Sequence, residues 1–335
     1  MKNNILVNKS VLLTGGTGSF GRYFVKYIID NKIKVKKLII FSRDELKQFE
    51  MNSLYSTRKY KFMRYFLGDV RDSERISFAC RGVDIVLHAA ALKQVPAAEY
   101  NPFEYVSTNI IGAQNLISAC LKNSTIKNVI TLSTDKAVSA INLYGATKLC
   151  SDKIFIAANN IIGNRDIKFS IVRYGNVFGS RGSIVDYLIK NKNSKTVSVT
   201  DVNMTRFNIT LDEAVKFVIL ACNNNFGGEI FVPKIPSYRI LDLIKSINPK
   251  AKIQTVGIRP GEKLHEEMIS INDSSYTRDA GKYYIILPSI IFNNRDKIFK
   301  RINLKKVKKD FIYSSETNPH FLSVNEIKKI FNLFF

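Results

Sequence analysis

Short apolar runs alternate with longer amphipathic stretches through the first half of the chain. Ser10–Thr14 (SVLLT), Lys37–Phe41 (KLIIF), Phe62–Leu67 (FMRYFL), Asp84–His88 (DIVLH) and Asn128–Leu132 (NVITL) are apolar or nearly so. Strands buried on both faces look like this. Phe20–Asp30 instead repeats apolar residues at helical spacing, with Phe24 and Ile28 on one side. Asn101 as cap and Pro102 in the first turn open a long predicted helix running to about Leu121. Strands alternating with helices predict an α/β fold, a doubly wound parallel sheet covered on both faces. After a further strand, Phe169–Val172 (FSIV), the rhythm changes at Tyr174 to Gly- and Ser-containing turns and short mixed elements. The expected division is a main domain over 1–177 and a smaller, mainly substrate-binding lobe over 178–335. One segment near 204–223, containing the helical TLDEAVKFVILAC, is expected to return to the main domain.

Composition narrows the class. The 335 residues are 45% hydrophobic and 24% charged, an ordinary globular mixture that argues against disorder or coiled coil. No apolar run approaches the roughly 20 residues of a membrane helix, and Val215–Cys222 is interrupted by Lys216. Met1–Asn8 is short and polar, unlike a secretory signal, so a cytoplasmic protein without a membrane partner is expected. Cys80, Cys120, Cys150 and Cys222 form no close pairs, and His88, His265 and His320 are equally dispersed. Neither set predicts disulfides or a metal site. The net charge of +23 would attract anions in general. Its lysines are spread along the chain, with one cluster at Lys305, Lys306, Lys308 and Lys309 and no nucleic-acid motif, so no nucleic-acid partner is expected.

Candidate chemistry begins directly after the first strand. Thr14-Gly15-Gly16-Thr17-Gly18-Ser19-Phe20-Gly21 opens the first helix, with Gly15, Gly18 and Gly21 at three-residue spacing. Glycines there permit a tight turn, close approach of a pyrophosphate and close helix–strand packing, while the helix N-terminus supplies amide donors. A Rossmann-type dinucleotide site follows from that context. The tip of the second strand decides between dinucleotides. Ser42 and Arg43, with Lys47 one turn on, suit a 2′-phosphate and favour NADP, whereas Asp44 would also allow NAD. Asp69 and Val70, after the third strand, are placed to touch the adenine.

After the fifth strand come Ser133-Thr134-Asp135-Lys136 and then Tyr144-Gly145-Ala146-Thr147-Lys148. On a helix Tyr144 and Lys148 share a face. An ammonium beside a phenol brings its ordinary pKa of about 10 nearer the working range of a base.

Together these motifs resemble the extended short-chain dehydrogenase/reductase superfamily. More closely, the chain resembles the inverting UDP-N-acetylglucosamine 4,6-dehydratases that begin pseudaminic acid synthesis. The similar stretches include TGGTGSFG (14–21), FSRDELKQ (41–48), HAAALKQVPAAEYNP (88–102), LSTDKA (132–137), NLYGATKLCSDK (142–153), RYGNVFGSRGS (173–183) and IRPGEKLHEEM (258–268). The resemblance implies a redox loop on UDP-N-acetylglucosamine: Tyr144 takes the C4 hydroxyl proton, NADP carries the hydride, Asp135 is the acid at C6 and Lys136 the base at C5. A lysine base must be neutral, and lowering its pKa from about 10.4 to about 7 costs roughly 4–5 kcal/mol. Desolvation with Lys148 and the cationic nicotinamide nearby is the expected source.

The resemblance also implies that Glu45, Leu46, Ala89 and Lys93 join the residues above at the cofactor. It places Lys93, Thr134, Asn176, Thr200, Arg206 and Arg259 at the UDP-sugar, and implies a homo-oligomer and a role in flagellin glycosylation. Inversion at C5 is likewise implied only by resemblance. Gln94, Ala140, Asn208 and Phe321 depart from the family's usual His, Pro, Trp and Trp, none of them at the Tyr-Lys or Asp-Lys groups. The competing enzymatic reading is a UDP-N-acetylhexosamine 4-epimerase, which would need Tyr144 and Lys148 but not Asp135 and Lys136.

Overall fold

The computed structural model describes residues 4–290 and 304–334. Strand β1 (Ser10–Thr14) leads through the glycine turn into helix α1 (Ser19–Asp30), and β2 (Lys37–Ser42) into α2 (Glu45–Leu54). β3 (Met63–Leu67), α3 (Ser73–Ala79) and β4 (Ile85–His88) follow. Next come α4 (Val95–Tyr100), α5 (Pro102–Tyr105) and α6 (Gly112–Lys122), then β5 (Asn128–Thr134), α7 (Leu143–Ala158) and β6 (Lys168–Tyr174). The predicted long helix is present, but as α5 and α6 joined through a π-helical segment, Val106–Ile111. Asn109 in that segment accepts from the Leu92 amide at 2.9 Å, and donates to the Leu92 carbonyl at 2.9 Å and to Thr147 Oγ1 at 3.0 Å. The π segment thus ties the loop after β4 to α7, and π segments recur at functional sites.

The second half begins with β7 (Asn176–Val177), α8 (Ile184–Lys190), β8 (Thr196–Val199), β9 (Thr205–Ile209) and α9 (Leu211–Asn224). β10 (Ile230–Pro233), β11 (Ser237–Arg239), α10 (Ile240–Ile247) and β12 (Lys252–Thr255) come next. β13 (Glu267–Ile269), β14 (Thr277–Asp279), β15 (Tyr283–Ile286), β16 (Lys305–Lys306), β17 (Tyr313–Ser314) and α11 (Val324–Phe334) complete the described elements.

The main sheet runs β3-β2-β1-β4-β5-β6-β10 in parallel and is extended antiparallel by β15, β14 and β16. This is the doubly wound order, whose direction reverses between β1 and β4 and leaves a crevice at the carboxyl ends of those strands. Helices α3, α6 and α7 pack on one another over one face, and α1 with α9 over the other. The fully buried Leu12, Phe24, Val86, Ile130, Phe155 and Phe231 belong to the core between them. A separate apolar cluster, including Phe178, Leu188, Tyr238, Leu243 and Ile327, holds the smaller lobe of α8, α10, α11, β8 and β12. The chain after residue 178 therefore contributes to both bodies. α9, opened by a Thr210–Glu213 capping box, lies against β5 and β6, and β10, β14, β15 and β16 all join the main sheet.

Candidate active site

A cleft of about 610 Å³ lies along the carboxyl ends of the parallel strands. The glycine turn lines one end of it. Gly15 has φ +65°, and a Cβ there would sit 2.7–2.8 Å from backbone atoms of Ala89 and Ala90. A Cβ on Gly21 would meet the Gly16 carbonyl oxygen at 2.2 Å. Only glycine allows this close approach of helix, turn and strand loop. α1 begins at Gly18 with no side-chain cap and no acid in its first turn, so its amides face the cleft without a competing anion. Those features fit a dinucleotide pyrophosphate.

Thr17, Ser19, Phe20, Ser42, Arg43, Asp44, Lys47, Asp69, Val70, Ala89 and Lys93 all line the same cleft. Glu45 and Leu46, in the first turn of α2, are not among its lining residues, and Leu46 is exposed. Asp44 is already engaged: one carboxylate oxygen caps α2 by accepting from the Lys47 amide at 2.9 Å, and the other pairs with the Lys47 ammonium. Those bonds from Lys47 hold its carboxyl below the usual range. Asp69 accepts three hydrogen bonds from Arg71, one from its amide at 3.0 Å and two from its guanidinium at 3.0 and 2.7 Å, and lies 3.7 Å from Arg43. The half-exposed Arg43 makes no closer ion pair among the described residues, leaving its guanidinium edge open to the cleft.

At the other end the chemistry converges on the end of β5. Thr134 closes the strand, and its hydroxyl accepts from the Lys136 amide at 3.3 Å, starting a single 3₁₀ turn over Asp135–Ala137. Asn142 caps α7 by accepting from the Gly145 amide at 2.7 Å. A Cβ on Gly145 would lie 2.2 Å from the Lys136 carbonyl oxygen, so glycine lets α7 abut the 3₁₀ turn and sets Tyr144 beside Asp135 and Lys136. Gly175 stands on the far side, where a Cβ would meet Phe207 Cβ at 2.5 Å and Asp135 Oδ2 at 3.2 Å.

Asp135 is fully buried. Its Oδ1 accepts from the Thr134 hydroxyl at 2.9 Å and from Lys136 Nζ at 3.0 Å. Lys136 Nζ is also 3.0 Å from Glu266 Oε1 and 3.5 Å from Asn176 Oδ1. Burial alone would press the Lys136 ammonium down, as expected, but the charges of Asp135 and Glu266 outweigh it and raise the amine well above its ordinary range. Without substrate, then, Lys136 is an ammonium clamped between two carboxylates. This reverses the expectation that its surroundings make it neutral.

Burial pushes Tyr144 up to about 12, while the Lys136 charge and a hydrogen bond with Thr134 pull it back. The cation acting most directly on the phenol is therefore Lys136. Lys148 is itself lowered by burial and partly restored by Asp152 one turn on. Asp152 in turn accepts from the Ser133 hydroxyl at 2.7 Å and lies 3.5 Å from Arg173.

Of the residues expected at the UDP-sugar, Lys93, Thr134 and Asn176 line the cleft; Thr200, Arg206 and Arg259 do not. Arg206 is buried and donates to the carbonyls of Thr205, Lys263 and Leu264. Arg259 is exposed. Arg181, which sequence reasoning passed over, lines the cleft with its amide 3.3 Å from Ser19 Oγ. Glu266 was also passed over: it lies 130 positions from Lys136 in sequence, and only the fold brings them together. His88 is a buried structural residue, its Nδ1 2.7 Å from Thr14 Oγ1. Among the described residues no cluster suits a metal ion, and no helix is long and apolar enough to cross a membrane.

A UDP-N-acetylglucosamine 4,6-dehydratase (inverting) from Campylobacter jejuni is 52% identical, covering 97% of both chains. A UDP-glucose 4-epimerase from Rickettsia canadensis is 38% identical over 97% of this chain and 96% of its own. The X-ray structure of Pen from Bacillus thuringiensis superimposes with a TM-score of 0.87 at 33% identity, covering 98% of both chains. The family model described as polysaccharide biosynthesis protein matches residues 11–288. The chain belongs to that polysaccharide biosynthesis family, within the extended short-chain dehydrogenase/reductase type.

Proposed function

We propose that this protein is a hydro-lyase that removes water from UDP-N-acetylglucosamine between C4 and C6 and inverts C5. The product would be UDP-2-acetamido-2,6-dideoxy-β-L-arabino-hexos-4-ulose, the first intermediate of pseudaminic acid synthesis. The 52%-identical dehydratase relative supports the reaction, and the Asp135–Lys136–Tyr144 cluster is the observation that carries it. NADP is the proposed cofactor, because Asp44 is committed to capping α2 while Ser42, Arg43 and Lys47 face the same end of the cleft. When bound, the nicotinamide would supply the hydride acceptor for C4 and return the hydride at C6.

The chain's own residues account for the protons moved up to the loss of water; return of the hydride at C6 then leaves C5 to take up one proton, exchangeable with solvent, on the opposite face. Tyr144, a buried phenol in the wall of the cleft, accepts the C4 hydroxyl proton, and the Lys136 ammonium next to it favours the phenolate. The resulting ketone acidifies the C5 hydrogen. The resting Asp135 carboxylate with Lys136 ammonium carries the same number of protons as the working pair, a carboxylic acid with a neutral amine. Moving one proton along the 3.0 Å contact converts one into the other. The amine then takes the C5 proton while the acid gives its proton to the departing C6 hydroxyl, which restores the ion pair. The cost of the neutral amine falls on the chemical step instead of on the resting enzyme: ordinary lysine and aspartate pKa values differ by about 6.5 units, roughly 9 kcal/mol, which substrate binding and the closed site must reduce. The work is proposed to take place in the cytoplasm, in a homo-oligomer.

A 4-epimerase reading is favoured by one observation, the 38% identical relative of that name. Incubation with UDP-N-acetylglucosamine separates the two. A 4-keto-6-deoxy product supports dehydration, and UDP-N-acetylgalactosamine alone would overturn it.

A further inference from the structure

Behind Lys136, away from the cleft, stands a second carboxylate that the proton steps above do not use. Glu266 is 2% exposed and precedes β13. Its amide donates to Ser315 Oγ at 2.9 Å, and the Ser315 amide donates back to the Glu266 carbonyl at 2.8 Å, so the backbone is fixed on both sides. Oε1 lies 3.0 Å from Lys136 Nζ and 4.0 Å from Arg206 Nε. Oε2 is buried with no hydrogen-bond partner among the described residues. Glu266 is not among the residues lining the cleft, so it would meet substrate only through Lys136.

We infer that Glu266 is a positioning residue for the C5 proton transfer, holding the Lys136 amine against Asp135 and setting the pH range over which that pair works. The inference rests on the reading of Lys136 as the C5 base. A flexible four-carbon side chain needs an anchor if its amine is to meet one hydrogen of a bound sugar. Asp135 cannot anchor it throughout, because Asp135 gives up its charge when it becomes the acid. Glu266 stays charged at that moment, and its negative field strengthens the amine as a proton acceptor at C5.

The groups facing Lys136 come from every element around it. Asp135 lies on its own turn, Asn176 on β7, Arg206 on β9, Tyr144 on α7, Tyr238 on β11 and Lys93 on the loop after β4. Of these, Arg206 and Lys93 oppose the ammonium. Arg206 is itself held 3.7 Å from Glu262 and by three backbone carbonyls, so it is a fixed cation and does not take over the anchoring. Glu266 and Asp135 are then the two anions within 3.0 Å of the amine.

The test is Glu266→Gln in the full-length protein with bound cofactor, assayed against pH in heavy water with UDP-N-acetylglucosamine. The expected result is a fall in kcat and in C5 deuterium incorporation of about tenfold or more, with KM close to wild type. Reduced-cofactor absorbance on mixing, which reports C4 oxidation, should persist. Removing the negative neighbour makes the pair's proton easier to lose, so the alkaline limb of the pH profile should move to lower pH by about one unit. An unshifted limb, or C4 oxidation falling in step with C5 exchange, would overturn the inference in favour of a packing role. Should the amide variant fail to fold, Glu266→Asp keeps the charge one methylene further back. A wild-type limb with a reduced rate then supports the inference, and an unreduced rate overturns it. The wild-type control separates the two claims. No keto sugar from the wild type overturns the base reading and this inference together, whereas keto sugar beside an unshifted variant profile overturns the inference alone.

Discussion

Asp135→Asn probes the acid half of the proton pair with little change of shape. The carboxylate is fully buried and its Oδ1 accepts from Thr134 at 2.9 Å and Lys136 at 3.0 Å. An amide oxygen can go on accepting both, so the 3₁₀ turn and the Gly175 contact survive. The variant loses two things. One is a transferable proton for the departing C6 hydroxyl, and general acid catalysis is worth about 10²–10⁴-fold, or roughly 3–5 kcal/mol of barrier. The other is one of the two charges at 3.0 Å from the Lys136 ammonium. Unit charges at that distance attract by about 5–6 kcal/mol at an effective dielectric constant of 20. Glu266 remains at 3.0 Å, so the ammonium stays paired and the loss of folding stability should be nearer 1–3 kcal/mol. The assay is rapid mixing with UDP-N-acetylglucosamine, following reduced-cofactor absorbance and product by NMR. C4 oxidation should still occur and product formation should fall by at least about 100-fold. Product formation within a few-fold of wild type would refute the assignment of Asp135 as the acid, and loss of both signals together would show that the residue serves the site as a whole.

Three further predictions test other parts of the account. Arg43→Asp should weaken NADP relative to NAD by about 10–150-fold, the worth of one charge-assisted contact of about 1.5–3 kcal/mol, and an unchanged affinity ratio by fluorescence titration would remove Arg43 from the 2′-phosphate. Gly15→Ala places a Cβ 2.7 Å from the Ala90 amide at a φ of +65°, so dinucleotide binding measured by calorimetry should be lost; wild-type affinity would show that the turn does not approach the ligand. Burial, helped by Lys148, lowers His88 to about 3, so the unfolded chain takes up a proton that the folded one refuses. Stability from this group is therefore fully present above the ordinary histidine pKa and falls by up to about 1.4 kcal/mol per unit as pH drops from about 6.5 towards 3. Urea titrations at pH 6 and 5 should show a steeper loss for wild type than for His88→Asn, and parallel losses would contradict the buried neutral imidazole.

The parallel sheet was legible because its strands are continuously apolar and its helices carry capping and periodic signals; β1 begins and ends where the SVLLT run does. The glycine turn was legible for the same reason, since strand, turn and helix are contiguous in sequence. The antiparallel extension was not. β14, β15 and β16 are two to four residues long, and β14 and β16 are polar, so only pairing to neighbours makes them strands. The π segment in the long helix leaves no trace in the spacing of apolar positions. At the site, Asp135, Lys136, Tyr144 and Lys148 lie within fourteen consecutive positions and could be read together. The ionisation of Lys136 could not, because it depends on Glu266, and nothing in the adjacent pair Glu266-Glu267 says which side chain turns inward. In the structure Glu267 instead accepts from Ser139 at 3.1 Å in an exposed position.

The central claim is that one shared proton turns the Asp135–Lys136 ion pair into the acid and base of a dehydration. Proton NMR of the wild-type reaction with UDP-N-acetylglucosamine in heavy water tests it most directly. The account predicts a 4-keto-6-deoxy sugar of L-arabino configuration, deuterated at C5, formed over many turnovers without net consumption of cofactor. UDP-N-acetylgalactosamine as sole product, or a keto sugar that keeps its C5 protium throughout, would contradict it.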